Sequence, residues 1–449
     1  MKLKFFIVLM FCTGLFSCKK EFLEEKPSKS LLVPTTFADM QALLDNYRIM
    51  NFQAPGLTML ATDEVILGDA TWSALSTAPQ RNSYVWAADL AEGATIFEWN
   101  NPYMAIFYAN VVLDGLDNMS DADKDSPEWK KLRGAALFFR GSGFFYLSQL
   151  FCEQYDDKAN ANLGIPLPLH PDVNRRYGRG TLQETFDRIL MDLNEAYTLL
   201  PEKEVSKIRP TSLATAAMLA RINLTMGNYN EAGELANSCI SKYDGLIDYN
   251  VLNPSSFNPF EETLPNGNAE VLLYMASVSY AFQGASTTTV DPNLYALYEE
   301  IDTRKKIFFT TNTAGLINSR NYGGISLPEV YLISAECYAR NNALSESMVM
   351  LHRLREKRYI KNSIAQQTVL SRDEALRLIF IERRKELSCN SRSMRWYDLK
   401  RLNKEQLYET TLKRYVNGQV HELLPNDRRY VYPIPDQEII RHQHVQNQR

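Results

Sequence analysis

Histidine and cysteine are scarce, five and six among 449 residues. That leaves little material for a metal-rich site or a disulfide-stapled scaffold. His170, His352, His421, His442 and His444 have no zinc spacing with cysteine, and His442-x-His444 falls in a polar C-terminal tail. Basic blocks are missing as well. Lys and Arg total 49 against 53 Asp and Glu, a formal charge of −4, which argues against a nucleic-acid partner. Phosphate-binding glycine loops are absent, because Gly56, Gly68 and Gly93 each stand alone. The Asp- and Asn-rich loops lack calcium-ligand spacing, and no cofactor is indicated. Beyond the N-terminus no 18 consecutive apolar residues occur, so no membrane-spanning helix is expected in the body. What is present is 45% hydrophobic and 23% charged, which excludes disorder and a collagen-like fold. A length prior of roughly 150 residues per domain allows about three units, or one helical array that absorbs them all.

The first 17 residues are of a different kind. Lys2 and Lys4 precede the apolar run Phe5–Cys12 and then Thr13-Gly14-Leu15-Phe16-Ser17. A short basic stretch followed by roughly a dozen mostly apolar residues is a signal peptide, too short to cross a bilayer as a helix. Leu15-Phe16-Ser17-Cys18 resembles the bacterial lipobox, with Phe16 bulkier than usual at its position. Cleavage after residue 17 would make Cys18 the first mature residue, its thiol carrying diacylglycerol, with further acylation making the anchor durable. The alternative is an ordinary cleaved signal with Cys18 incidental. Residues 18–30 are charged and polar and read as a tether, leaving 31–449 as a single body. Cys152, Cys239, Cys337 and Cys389 are widely spaced and read as buried free thiols. An exported protein is permitted disulfides, but these four give no pairing.

Within the body, 3.6-residue periodicity predicts helices over Tyr103–Leu116, Trp129–Cys152 and Thr181–Leu200. Thr181 stands three residues before Glu184, the spacing of a capping box. Gly134, Ala135, Gly141 and Gly143 would let a neighbouring helix come close, at some cost in helicity. Helix Thr211–Met226, a Gly227-Asn228-Tyr229 turn and helix Gly233–Tyr243 form a tetratricopeptide-like unit. A weaker copy is Glu329–Ala339 followed by Leu344–Arg358. Between and before them lie two irregular inserts, about 51–100 and 245–325, rich in turn formers and lacking a sustained period. Glu270–Gln283 reads as a short strand within the second. Loops this long are usually functional, so the ligand is expected there.

Several motifs recur from end to end: Thr62-Asp63-Glu64-Val65, Tyr84-Val85-Trp86-Ala87-Ala88-Asp89, Trp99–Leu113 and Leu163-Gly164-Ile165-Pro166-Leu167-Pro168. The C-terminal third adds Leu327-Pro328-Glu329-Val330-Tyr331, Ile381-Glu382-Arg383-Arg384-Lys385-Glu386-Leu387, Arg395-Trp396-Tyr397-Asp398-Leu399 and Tyr432-Pro433-Ile434-Pro435. In this order, and with the lipobox, the chain resembles the SusD/RagB family, the surface glycan-binding lipoproteins of Bacteroidetes. It is on the short side for that family. Ser388–Met394 also stands where the family usually carries an acidic residue and a glycine. The resemblance implies a mainly α fold, a right-handed superhelix of tetratricopeptide-like helix pairs with a large irregular ligand-binding half and short strands. It further implies a SusC-like TonB-dependent outer-membrane barrel as partner. The lipoprotein would sit on the cell-surface face as a lid delivering a glycan, without catalysis.

Sugar rings pack their C–H faces on aromatic rings while their hydroxyls need polar partners. Trp72, in an aperiodic stretch with nothing to bury it, is therefore the leading candidate, against a structural or partner-facing role. Asp69, Asp63, Arg81 and Tyr84 accompany it on the first insert. Tyr280, Phe282 and Gln283, with Asn321 and Tyr322, are candidates on the second. Trp86 and Trp99 read as core. Glu382 and Glu386, four apart with Arg383 and Lys385 alongside, read as a packed ion-pair network rather than catalytic carboxylates. Three rivals to glycan delivery stand beside it: a peptide-cargo lid, a helical adaptor without saccharide affinity, and a secreted glycoside hydrolase.

Overall fold

The computed structural model describes residues 34–124, 126–256, 259–260, 267–311, 317–319, 324–388 and 394–449. The leader, Cys18, the tether, Cys389, Asn321 and Tyr322 lie outside the described residues. The main helices are α1 (Phe37–Leu44), α2 (Phe97–Asp117), α3 (Pro127–Phe151), α4 (Leu182–Leu199), α5 (Ser212–Met226) and α6 (Tyr229–Lys242). They continue with α7 (Leu327–Arg340), α8 (Leu344–Arg355), α9 (Arg372–Leu387), α10 (Met394–Leu402) and α11 (Asp436–His442). The fold is mainly α.

Local chemistry sets the helix ends. Thr181 Oγ1 accepts from Glu184 N at 3.1 Å while Glu184 Oε2 accepts from Thr181 N at 2.8 Å, the reciprocal cap that the spacing predicts. Gly227 closes α5 in the left-handed region at φ 82°. The small residues of α3 do what their size allows. A Cβ on Gly141 would stand 2.9 Å from Leu193 of α4, and one on Gly143 would stand 2.9 Å from Ile106 of α2. Helix α3 thus lies pressed between its two neighbours.

Sequential helices stack on one another, α4 on α5, α5 on α6, then α6 on α7 and α7 on α8 and α9. The two tetratricopeptide-like units are therefore adjacent in space although an insert separates them in the chain. Asn237 on α6 donates to Tyr338 Oη at 2.9 Å and accepts from Ser334 Oγ at 2.6 Å, and Gly233 meets Cys337.

Ten short strands are found among the described residues, all in two-stranded antiparallel pairs. In chain order they are β1 (Val65–Ile66), β2 (Leu163–Pro166), β3 (Arg179–Thr181), β4 (Val271–Leu273) and β5 (Thr289–Val290). Then come β6 (Phe309–Thr311), β7 (Ile317–Ser319), β8 (Ile325–Ser326), β9 (Leu412–Val416) and β10 (Gln419–Leu423). β4 pairs with β8, Val271 opposite Ser326, and so closes the base of the second insert just before α7. β1 of the first insert pairs with β5 of the second. A bridge between Ala54 and Ser277 joins them again.

Two apolar cores result. The larger joins the helices and contains Trp99 and Trp86, as the sequence suggests. The smaller belongs to the inserts and includes Leu60, Val65, Tyr84, Phe282, Val290, Tyr298 and Phe309, with Val416 of β9. Tyr280 packs against both. Its Oη donates to the carboxylate of Glu98 at 2.9 Å, which also accepts the backbone N–H of Gly56 and Leu57. Burial pushes the Glu98 carboxyl above its ordinary pKa, and these hydrogen bonds act the other way.

The charged stretch of α9 forms the expected ion-pair network. Buried Arg304, from the second insert, meets Asp302 at 2.8 Å, Glu386 at 2.8 Å and also Glu382. Arg358 joins Glu270 at 2.7 Å to Glu386 at 2.9 Å, and Lys385 meets Asp302 at 3.0 Å. Further along, Arg401 holds Glu336 at 2.6 Å, Arg340 holds it at 2.8 Å, and Arg221 holds Glu329 at 2.6 Å.

Several boundaries differ from the sequence reading. α2 starts at Phe97 rather than Tyr103, with Pro102 accommodated inside it. α6 starts at Tyr229, so the turn before it is shorter. The strand read over 270–283 is three residues long, because register breaks at β4 and a 3₁₀ turn follows at Ala281–Gly284. The first insert holds short helices, Thr58–Ala61, Asp69–Ser73 and Ala78–Tyr84, each too brief to leave a period. The polar tail is docked. Asn447 Nδ2 donates to Phe151 O at 2.9 Å, and His444 is buried. Cys152, Cys239 and Cys337 are free and buried, and burial pushes the last two thiols up to about 12.

Two predictions follow from the network. Arg304→Ala removes the shared cation from three buried carboxylates, leaving them to Arg358 and Lys385, and is expected to cost about 3–5 kcal/mol, read from the urea midpoint. Burial would raise the Glu336 pKa, but Arg401 and Arg340 outweigh it and hold it down to about 2. A carboxyl depressed in the native state stabilises above its unfolded pKa and loses that contribution as pH falls through the folded one. Stability should therefore decline from about pH 5 towards 2. Glu336→Gln should be less stable at pH 7 and show a shallower decline across that window.

Candidate functional site

The inserts and the β9–β10 hairpin enclose an open cleft of about 630 Å³. Its wall includes Asp63, Ile66, Leu67 and Tyr84 from the first insert and Asp291 and Asn293 from the second. Arg384 comes from α9, and Thr410, Lys413, Arg414 and Tyr415 come from the hairpin and its approach. The volume suits a small-molecule ligand.

The hairpin owes its shape to Asn417-Gly418, whose φ angles of 49° and 75° are those of a type I′ turn. Alternation then turns Leu412, Arg414 and Val416 inward and Lys413 and Tyr415 outward. Tyr415 is 71% exposed and stands opposite Val420, 56% exposed, across the ladder. An outward aromatic beside an outward aliphatic is an apolar step at the cleft lip. Asn417 N donates to Asp69 Oδ1 at 2.9 Å, clipping the hairpin tip to the helix that carries Trp72.

The candidates from the sequence fall into three groups. Asp63 and Tyr84 line the cleft, but as its floor. Asp63 accepts from Arg395 at 2.7 and 2.9 Å and pairs with Arg384 at 2.9 Å. Burial would raise its pKa, yet these two cations hold the carboxyl well below the usual carboxylate range. Tyr84 is 2% exposed and its Oη accepts from Leu67 N at 2.9 Å. Both thus stand on the cleft wall with their polar atoms engaged by neighbours in the chain.

Trp72, Asp69 and Arg81 form the second group, beside the cleft. Trp72 is half-buried in a one-turn helix, not an open loop, and its Nε1 donates to Arg81 O at 3.0 Å. Arg81 Nη1 donates to Leu75 O at 2.6 Å. The third group lies elsewhere. Phe282 is 3% exposed in the insert core, with Tyr280 stacked at 5.8 Å, and Gln283 Oε1 accepts from Tyr280 N at 2.9 Å. The polar atoms of Tyr280 and Gln283 are engaged within the chain, and the Phe282 ring is packed in the insert core.

Tyr415, Arg414, Lys413, Asn293 and Thr410, which also line the cleft, are not among the sequence candidates. The available signal was Asn417-Gly418 between alternating apolar positions, a strong short-range hairpin mark.

Comparison with known proteins agrees with this architecture. A family model described as "Starch-binding associating with outer membrane" matches residues 21–224, and one described as the SusD family matches residues 305–448. A SusD-like protein P2 of Formosa agariphila is 24% identical over 523 aligned positions, spanning 99% of this chain and 98% of the relative. A SusD superfamily protein from Bacteroides thetaiotaomicron superposes with a TM-score of 0.73 at 21% identity, covering 92% of this chain and 100% of that one. A putative sugar binding protein from Bacteroides vulgatus gives 0.74 at 20% identity, with 93% and 99% covered. Two family models spread over both ends of one continuous fold, and a relative aligned from end to end, carry the conclusion: the chain belongs to the SusD/RagB family.

Proposed function

We propose that this protein binds a glycan nutrient in the cleft beneath Tyr415 and passes it to a SusC-like TonB-dependent transporter in the outer membrane. The observation that carries the reading is the lip of that cleft. Tyr415 offers an uncovered ring to a sugar face, and Asn293, Thr410 and Lys413 offer polar groups to its hydroxyls. The site needs no reacting group in this role, in keeping with a binding protein rather than an enzyme. Asp63, a carboxylate on the cleft wall, is already engaged by two guanidinium groups.

Surface placement is supported by Leu15-Phe16-Ser17-Cys18 and the charged residues after it, which suit a lipid on Cys18 and a tether of residues 18–30. Among the described residues no helix is long and apolar enough to cross a membrane. The family model's own description places its members with the outer membrane. A lid carried on residues 31–449 would present the insert half, where the cleft opens, to the transporter.

Titration calorimetry of the full chain in detergent, against plant, host and microbial oligosaccharides, tests the reading. Binding of a glycan is expected. Tyr415→Ala should weaken it by about tenfold, close to 1.4 kcal/mol, with unchanged thermal stability. An equal loss in Trp72→Ala would extend the platform onto the adjoining helix. Peptide binding without any saccharide binding would overturn glycan as the cargo. Transporter capture without either would leave a structural adaptor.

A further inference from the structure

Resting on the reading of this cleft as the cargo site, we infer that the preferred cargo is an acidic saccharide, whose carboxylate or sulfate ester is held at Arg414. Seven described arginines are less than 9% exposed: Arg140, Arg221, Arg304, Arg358, Arg383, Arg401 and Arg414. The first six each pair with a carboxylate within 4.0 Å. Arg414 has none among the described residues. It is 4% exposed, lies over the rings of Tyr84 at 4.6 Å and Trp86 at 5.5 Å, and donates only to the carbonyls of Thr62 and Lys413. Its Nε finds no acceptor.

A buried arginine without a counter-ion is costly, and among the described residues the other six buried arginines avoid it, whereas buried Lys400 is likewise held by carbonyls alone, those of Gln149 and Cys152. Here the cost falls on the wall of a cleft of about 630 Å³. The charged groups around it do not cancel it. Arg384, Lys413 and Arg414 line the cleft against Asp63 and Asp291. Asp63 is already shared between Arg384 and Arg395, and Asp291 caps a helix turn by accepting from Asn293 N at 2.7 Å. Lys413 leans outward to Glu422 at 2.7 Å. Burial accordingly pushes the Arg414 pKa down. An oxyanion on the cargo would supply the missing partner with charge-assisted hydrogen bonds. The Tyr415 ring, turned to the opposite face of β9 at the cleft lip, would take the face of a sugar further along the chain of the cargo.

The test compares three ligands of one length on the full chain in detergent: a uronic-acid oligosaccharide, its carboxyl-reduced neutral counterpart, and a sulfated oligosaccharide. The acidic forms should bind at least about tenfold more tightly than the neutral one. Arg414→Met, which keeps apolar packing on Tyr84 and Trp86, should bring the preference of acidic over neutral ligand below about threefold. The two acidic arms tell carboxylate from sulfate ester. Because the wild-type comparison stands alone, a variant that fails to fold does not remove the test. Equal or tighter binding of the neutral ligand overturns the acidic preference and leaves the saccharide cleft intact. Absence of binding by all three, and by neutral glycans generally, overturns both.

Discussion

Arg304 places a full positive charge beyond the reach of solvent, and three carboxylates must converge for the chain to fold around it. Two of them, Glu382 and Glu386, come from α9, and the third, Asp302, comes from the same insert as Arg304. Arg358 repeats the device between Glu386 and Glu270. A loop-rich half with little regular hydrogen bonding is thereby registered against a helical scaffold through charges that fit in one arrangement. Such pairs add little net stability over apolar packing. What they supply here is position, since a shift of one residue on α9 would leave several ions buried and alone.

That position determines the cleft. Arg384, on the same helix, reaches forward to Asp63 and fixes the approach to β1, while Arg395 grips both oxygens of that carboxylate. Tyr84 and Leu67 are set by the same strand, and β9 is laid over them through Arg414 and Val416. The floor is therefore rigid and committed to internal partners. The exposed lip differs from it: there Tyr415 is uncovered, and Lys413 is paired, among the described residues, only with Glu422 across the hairpin.

The helices were legible because their signals are local. The Thr181–Glu184 cap, Gly227 and the small residues of α3 each act within a turn or two. Core Trp86 and the ion-pair role of Glu382 and Glu386 were legible too, as burial and charge spacing leave a trace in composition. The site was not. Asp63, Tyr84 and Phe282 have the side chains of a sugar platform, yet partners 321 residues away and core neighbours across the second insert decide that they face inward. Trp72 was read as an open loop because a single helical turn is shorter than any period. Tyr415 carries no mark of its own, because Asn417-Gly418 signals only its hairpin and this strand pair lies in neither long insert.

The ladder of β4 and β8 fastens the two ends of the second insert to each other directly before α7. Helices α6 and α7 then meet as though nothing had come between them. Loop closure costs grow only with the logarithm of length, roughly 0.6 kcal/mol for each doubling. Once that clasp has formed, the loops it encloses outside the Asp302–Arg304 anchor and the insert core are thermodynamically cheap to lengthen or shorten. The scaffold is in this sense a fixed handle, and loop sequence can change around the anchor without any new fold.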